Sequence, residues 1–298
     1  MASRAPPLLE PYLRLPHETS LILLSGVLGT STNWLVHRYL HALLTSPTTS
    51  PSSSSSYPSR EGTESSQGPQ QQPSVILVSF LRDHAFWKDG CKRLGLDLDQ
   101  AARKGSFAFV DGLTGLFTQS SDLPGRRPSA SATEDVRGRW TLKAATTEHL
   151  RQTVENAIAQ IQGSNSGAQT VLVIDQPDLL LAAASDAMTA VDIRGAILEL
   201  REKVHSCIVT VSADEALISA QGTVLEKEHA SLALSLAHDA QLVLSLRMLE
   251  TGTAKDVSGV LRVTPGGDEA AVGTIIEDRE LLYFIGGDGG VRVFERGQ

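Results

Sequence analysis

The residues best placed to do chemistry lie in SGVLGTSTNWLV (Ser25–Val36), which follows the apolar run TSLILL and leads into a helix-like segment. An apolar strand, a Gly/Thr/Ser loop and a helix are how a phosphate-binding loop begins. In the frame G-x-x-x-x-G-K-[ST] the first glycine is Gly26, and Gly29 falls inside the loop. Ser31 then stands where the second glycine belongs, Thr32 where the lysine belongs and Asn33 where the magnesium-binding hydroxyl belongs. In a working loop the backbone N–H groups cradle phosphate at a helix N-terminus. The lysine neutralises the β and γ oxygens, and the hydroxyl holds magnesium. Thr32 carries no charge, Asn33 lacks the hydroxyl, and Ser31 adds a Cβ where a tight phosphate turn often has none. Three readings stay open on these residues: a plain turn with Ser31 or Thr32 capping the helix, a phosphate loop that has lost its function, and a divergent loop that still binds nucleotide.

The partner of a phosphate loop is an aspartate at the end of an apolar strand. TVLVIDQPDLL supplies Asp175 in this Walker B-like place, at the carboxyl end of a strand, where α/β sheets put their ligands. Asp-Gln-Pro-Asp is also turn chemistry, with Pro177 stopping the strand and Asp178 free to cap the next element. Without the lysine and the hydroxyl, Asp175 reads as a relic or a cap rather than a magnesium ligand. His37 and His41 share a helix face at i, i+4, but no nearby carboxylate or cysteine completes a metal set. An amphipathic helix surface is the expectation for them. There is no H-E-x-x-H, no G-x-S-x-G elbow, and the glycines of IGGDGG do not lie between a strand and a helix. No catalytic residue, metal or cofactor is expected.

Two features suit binding. RDHAFWKDGCKRLG sets Phe86 and Trp87 beside Arg82, Lys88, Lys92 and Arg93, with Asp83 as a helix N-cap. These aromatics fit either a core or a protein interface. The stretch TQSSDLPGRRPSASATEDVRGRWT (Thr118–Thr141) carries Arg126, Arg127, Arg137 and Arg139 in a flexible polar frame. Flexible arginine-rich loops suit RNA backbone contacts and base stacking; a solvated mobile loop is the alternative.

The elements that must position these residues are set by hydrophobic patterning. Strands are expected at Ser20–Leu24, Val75–Phe80, Phe107–Asp111, Thr170–Asp175, Cys207–Val211 and Gln241–Leu246. Several are continuous apolar runs, as in a parallel sheet covered on both faces. Helical patterns fill Thr32–Leu44, Asp83–Leu94, Thr147–Ile161, Met188–Lys203 and Val224–Ala237, which implies βαβ units and a doubly wound α/β sheet. The tail alternates instead, and FIGGDGGVRVF reads as a hairpin closing an antiparallel finish. Residues 45–73, rich in Ser, Pro and Gln, have too little apolar content to order themselves and read as an insertion in a surface loop of one domain.

The 298 residues suffice for one large α/β domain with a sizeable core. At a net charge of −8 the surface as a whole does not attract nucleic acid, so any such contact needs a local basic patch. The two cysteines lie far apart and imply neither a disulfide framework nor a metal knot. No apolar stretch is long enough to span a bilayer, and the first residues have no signal-peptide pattern, so a soluble intracellular protein without a membrane partner is expected.

The run VILVSFLRDHAFWKDGCKRLGLDLDQAARKGSFAFVDGLTGLF (Val75–Phe117) resembles the sixth subunit of the Elongator complex in its fungal form. The likeness extends to SLILLSGVLGTSTNWLVHRYL before it and VLVIDQPDLLLAA after it. The resemblance implies a RecA-like fold with a degenerate P-loop and no catalysis of its own. It also implies assembly with two paralogous RecA-like subunits, the fourth and fifth, into a hetero-hexameric ring. That ring is an accessory module for modification of the wobble uridine of tRNA, binds tRNA, and works with a catalytic subcomplex whose chemistry resides in another, iron–sulfur subunit. A cytoplasmic and nuclear location goes with it. A divergent ATPase and a recombinase-like DNA-associated protein are the competing classes.

Overall fold

The structure is a computed structural model that describes residues 5–45, 72–117, 138–184, 188–250, 254–268 and 276–296. The chain order begins β1 (Ser20–Gly26), α1 (Asn33–Thr45), β2 (Ser74–Ser79), α2 (His84–Arg93), α3 (Leu98–Arg103), β3 (Phe107–Asp111) and α4 (Thr114–Phe117). It continues with β4 (Arg139–Thr141), α5 (Thr147–Ser164), β5 (Thr170–Asp175), α6 (Leu179–Ala183), α7 (Ala190–Arg201) and β6 (Ser206–Ser212). It closes with α8 (Glu215–Ile218), α9 (Val224–Asp239), β7 (Leu242–Arg247), β8 (Gly259–Pro265), β9 (Arg279–Ile285) and β10 (Val291–Phe294).

The ten strands of the described residues form one sheet in the order β10-β9-β8-β7-β1-β6-β5-β2-β3-β4. From β4 to β7 every pairing is parallel, and β7 to β10 run antiparallel. The reason lies in the strand sequences. Alternate residues of a strand point to opposite faces, and in SLILLSG both sets are apolar. Ile22 and Leu24 join the core under α1 and α2 with Tyr39, Leu40 and Trp87, whereas Leu21 and Leu23 join the core under α5, α7 and α9 with Val154, Ile193 and Leu232. Where helices cover only one side the pattern changes, and β7 alternates buried with half-buried residues.

Local sequence stops and starts the helices. Thr189 and Thr223 form reciprocal capping boxes with Asp192 and Glu226. Asp83, Asp97 and Thr146 cap α2, α3 and α5 through side-chain acceptors.

Three expectations change. Arg139 belongs to β4, paired in parallel with β3, rather than to a flexible loop; residues 118–137 of that loop, like residues 46–71 of the Ser/Pro insertion, lie outside the described residues. Trp87 is fully buried and is a core residue, not an interface one, while Phe86 is 36% exposed. His37 does not face solvent on an amphipathic helix surface. Its ring lies 5.0 Å from that of Trp87 and 5.8 Å from that of Phe86. Gly90 of α2 comes so close that a Cβ there would sit 2.0 Å from His37 Nε2. Burial, then the nearby Arg93 and Arg38 charges, push the His37 pKa down to about 4.

Candidate functional site

β1 ends at Gly26 and the chain turns at once. Val27 N–H donates to the Leu246 carbonyl of β7 at 3.2 Å, and Thr30 N–H donates back to the Val27 carbonyl at 2.9 Å. Thr30 Oγ1 reaches the same oxygen at 2.7 Å. Val27–Thr30 is therefore a β-turn with Gly29 in third place at φ +90°, a position that requires glycine in a type II turn. A Cβ on Gly29 would lie 3.2 Å from Met248 Sδ. Leu28 N–H donates to Asp214 Oδ1 at 2.5 Å. Ser31 Oγ accepts the Asn33 N–H at 3.3 Å at the start of α1, and the Thr32 side chain is buried.

Four backbone donors of this segment, those of Val27, Leu28, Thr30 and Asn33, thus end on acceptors of the chain itself. A phosphate cradle requires such donors to converge on the ligand. The anion at this turn is the carboxylate of Asp214, which stands between β6 and α8. It opens α8 without capping it, because the carboxylate is spent on Leu28.

Asp175 ends β5 and is fully buried. The sheet register sets Ser79 of β2 and Thr210 of β6 directly opposite it on its two sides. Ser79 Oγ donates to Asp175 Oδ2 at 2.8 Å and Thr210 Oγ1 donates to Oδ1 at 2.9 Å. Both carboxylate oxygens are engaged by neighbouring strands rather than by the turn after β1, from which β5 is separated by β6. Burial raises the Asp175 pKa to about 6, with the Asp178 charge adding to the effect and the two hydroxyls and Arg82 opposing it.

The next residue, Gln176, takes a left-handed φ of 55°. Its N–H donates to Thr210 Oγ1 at 2.9 Å, and its side-chain oxygen accepts from Ser212 Oγ at 2.9 Å. Asp178 does not cap α6 as the sequence leads one to expect. Its Oδ2 takes the Ser212 N–H at 3.3 Å and lies 3.9 Å from His229 Nδ1. Burial pushes its pKa up as well, against the pull of His229. Among the described residues no set of three or more His, Cys, Asp or Glu could hold a metal ion.

The basic candidates divide. Arg126, Arg127 and Arg137 lie outside the described residues. Arg139 Nη2 contacts Asp99 Oδ1 at 3.1 Å, and Asp99 Oδ2 also receives Lys88 Nζ at 2.6 Å. These hydrogen bonds, the Lys88 one first, hold the Asp99 carboxyl below the usual carboxylate range. Arg139 therefore ties β4 to α2 and α3. Sequence reasoning missed Ser79, Thr210 and Asp214; a Ser, Thr or Asp at a strand end reads as turn chemistry until register shows what it faces.

A first-strand turn in the phosphate-loop position, an acidic strand end one strand removed, and a doubly wound sheet with an antiparallel finish define a RecA-like α/β protein. The fold matches a KaiC-like protein from the archaeon Pyrococcus horikoshii with a TM-score of 0.51 over 93% of this chain and 90% of that one, at 14% identity. The chain belongs to the Elongation complex protein 6 family, whose model matches residues 70–280. It is 26% identical to the Elongator complex protein 6 homolog of Schizosaccharomyces pombe, over 97% of each chain. It is 25% identical to Elongator complex protein 6 of Xenopus tropicalis, over 64% of this chain and 68% of that one. For the human protein of that name the figures are 23%, 63% and 67%.

Proposed function

We propose that this protein is a non-catalytic subunit of Elongator that assembles with the paralogous fourth and fifth subunits into a hetero-hexameric ring. In this reading the ring binds tRNA and supports wobble-uridine modification by a catalytic subcomplex, in the cytoplasm and nucleus. The observation that carries the non-catalytic part is the closed turn after β1. Four of its backbone donors, those of Val27, Leu28, Thr30 and Asn33, are spent internally, Asp214 brings a negative charge to Leu28 N–H, and no lysine follows. A nucleotide phosphate would have to break these bonds and meet a carboxylate.

The assembly part draws support from apolar side chains left in solvent along the carboxyl edge of the parallel strands. Leu28 is 86% exposed after β1 and Phe117 is 65% exposed after β3, with Leu81 and Phe86 partly exposed after β2. Large apolar side chains on a surface mark protein contacts when they gather. Arg126, Arg127, Arg137 and Arg139 are the proposed RNA contacts, with Arg139 reaching RNA only by sharing or leaving Asp99.

Co-expression with the fourth and fifth subunits, followed by native mass spectrometry, tests the assembly: a particle with two copies of each chain is expected, and a monomer or homodimer of this chain alone overturns it. Calorimetric titration of the isolated chain with magnesium–ATP should show no saturable binding; binding that depends on Gly26–Asn33 would establish the divergent ATPase instead. Within the ring, changing the four arginines to glutamine should weaken tRNA binding and flatten its salt dependence while assembly persists. Unchanged affinity removes this loop from the RNA surface.

A further inference from the structure

We infer that the free edge of β10 is a docking site for an extended peptide segment of a partner protein, one carrying a carboxylate between two apolar residues. β10 terminates the ten-stranded sheet. Its hairpin with β9 starts from the Gly286 N–H bond to the Gly290 carbonyl at 2.8 Å. In an antiparallel ladder, hydrogen-bonded and non-hydrogen-bonded pairs alternate. Counting from Gly286/Gly290, the pairs Phe284/Arg292 and Leu282/Phe294 bond to each other, and the pairs Ile285/Val291 and Tyr283/Val293 do not. The N–H and C=O groups of Val291 and Val293 therefore point away from β9, along the open edge.

A groove of about 640 Å³ lies at β10, lined by Val291, Arg292, Val293 and Phe294 together with Ala5, Pro6, Pro7 and Asp256. Pro6 and Pro7 have no N–H to donate to β10, and among the described residues no backbone hydrogen bond joins Ala5–Pro7 to Val291–Phe294.

The side chains specify the guest. Val291 and Val293 belong to the apolar face that packs toward Trp34 and Tyr283, so residues paired opposite them have apolar side chains on that same face. Arg292 projects from the other face, 5.0 Å above the Phe284 ring, and has no carboxylate partner among the described residues. A carboxylate on the central guest residue would meet it. The same arginine speaks against a second copy of this chain as the guest, since antiparallel self-pairing of so short a strand brings two Arg292 guanidinium groups close together. Strand addition to an open edge draws affinity from main-chain hydrogen bonds and specificity from alternate side chains, and both are provided here.

The test uses the full-length chain labelled for amide NMR and the synthetic peptide acetyl-Thr-Val-Glu-Val-Thr-amide as probe. Saturable shift changes at Val291–Phe294 are expected at millimolar peptide, with hydrogen exchange at the Val291 and Val293 amides slowed by about tenfold or more. Val293→Pro deletes an outward donor without deleting a bond to β9 and should abolish binding. Arg292→Glu, at an exposed position, should lose this peptide and bind the lysine-centred version instead. Absence of saturable binding by the wild type, or binding unchanged in Arg292→Glu, overturns the proposal. Concentration-dependent dimerisation that Val293→Pro removes would also overturn it, by making the occupant a second copy.

Discussion

Asp175→Asn should stabilise this protein above pH 6, although it alters the residue in the Walker B-like place. Burial moves the Asp175 carboxyl from its ordinary 3.8 to about 6. In the interval between those values the native state binds a proton that the unfolded chain has released. Stability must therefore fall as pH rises from about 4 to about 6 and stay level beyond. A displacement of that size corresponds to about 3 kcal/mol, an upper figure because partial unfolding or water entry relaxes it. Asparagine never ionises, so it escapes this loss. Its oxygen can accept from Thr210 Oγ1, which already accepts twice from Gln176, and its amide can donate to Ser79 Oγ, which accepts once from Arg82 N–H and keeps capacity for a second bond. Urea unfolding of both proteins across about pH 4 to 8 isolates the effect, since every other titrating group is common to the two. The variant should match the wild type near pH 4 and exceed it by about 1–3 kcal/mol at pH 7.5. A variant less stable than wild type at pH 7.5, or a difference that does not change with pH, would refute the reasoning. Such a result would mean that the carboxylate stays ionised and is stabilised where it lies.

Three further outcomes rest on close packing. Gly90→Ala would ordinarily favour a helix by about 1 kcal/mol, yet its Cβ would meet His37 Nε2 at 2.0 Å; net destabilisation of about 1–3 kcal/mol by thermal or urea unfolding is expected. Gly29→Ala forces a side chain into φ +90° against Met248 and should lower stability by about 1–2 kcal/mol, with the loss read by the same unfolding curves. The neighbours Phe86 and Trp87 should separate cleanly: Trp87→Ala destabilises by about 3–5 kcal/mol, whereas Phe86→Ala changes stability by less than about 1 kcal/mol and, if the proposed ring forms, is detected instead as weaker assembly in native mass spectrometry.

The hydrophobic pattern announced much of this molecule. Runs such as VLVI before Asp175 are apolar on both faces, and only a strand covered by helices on both sides satisfies them. The central strands and the long helices accordingly fall where the periodicity puts them, within a few residues. β4 was not legible. It has three residues, RWT, in a polar frame, and it exists because β3 offers a ladder and Asp99 holds Arg139. Trp87 beside a row of cations fits a core or an interface equally until α1 and α2 are seen to touch through Gly90.

The candidate site divides in the same way. The missing charge and missing hydroxyl at Thr32 and Asn33 are facts of residue type, visible without any fold. That Asp175 is clamped by Ser79 and Thr210, and that Asp214 takes the Leu28 N–H, are facts of register and of chain return across 35, 96 and 186 residues. Composition and spacing act over a few residues, so by themselves they determined which strands are buried, where helices begin, and that the turn after β1 lacks the groups of a working phosphate loop. Which polar groups meet in the interior depends on the order of strands in the sheet, and only the tertiary structure decided that the turn closes upon a carboxylate of its own chain.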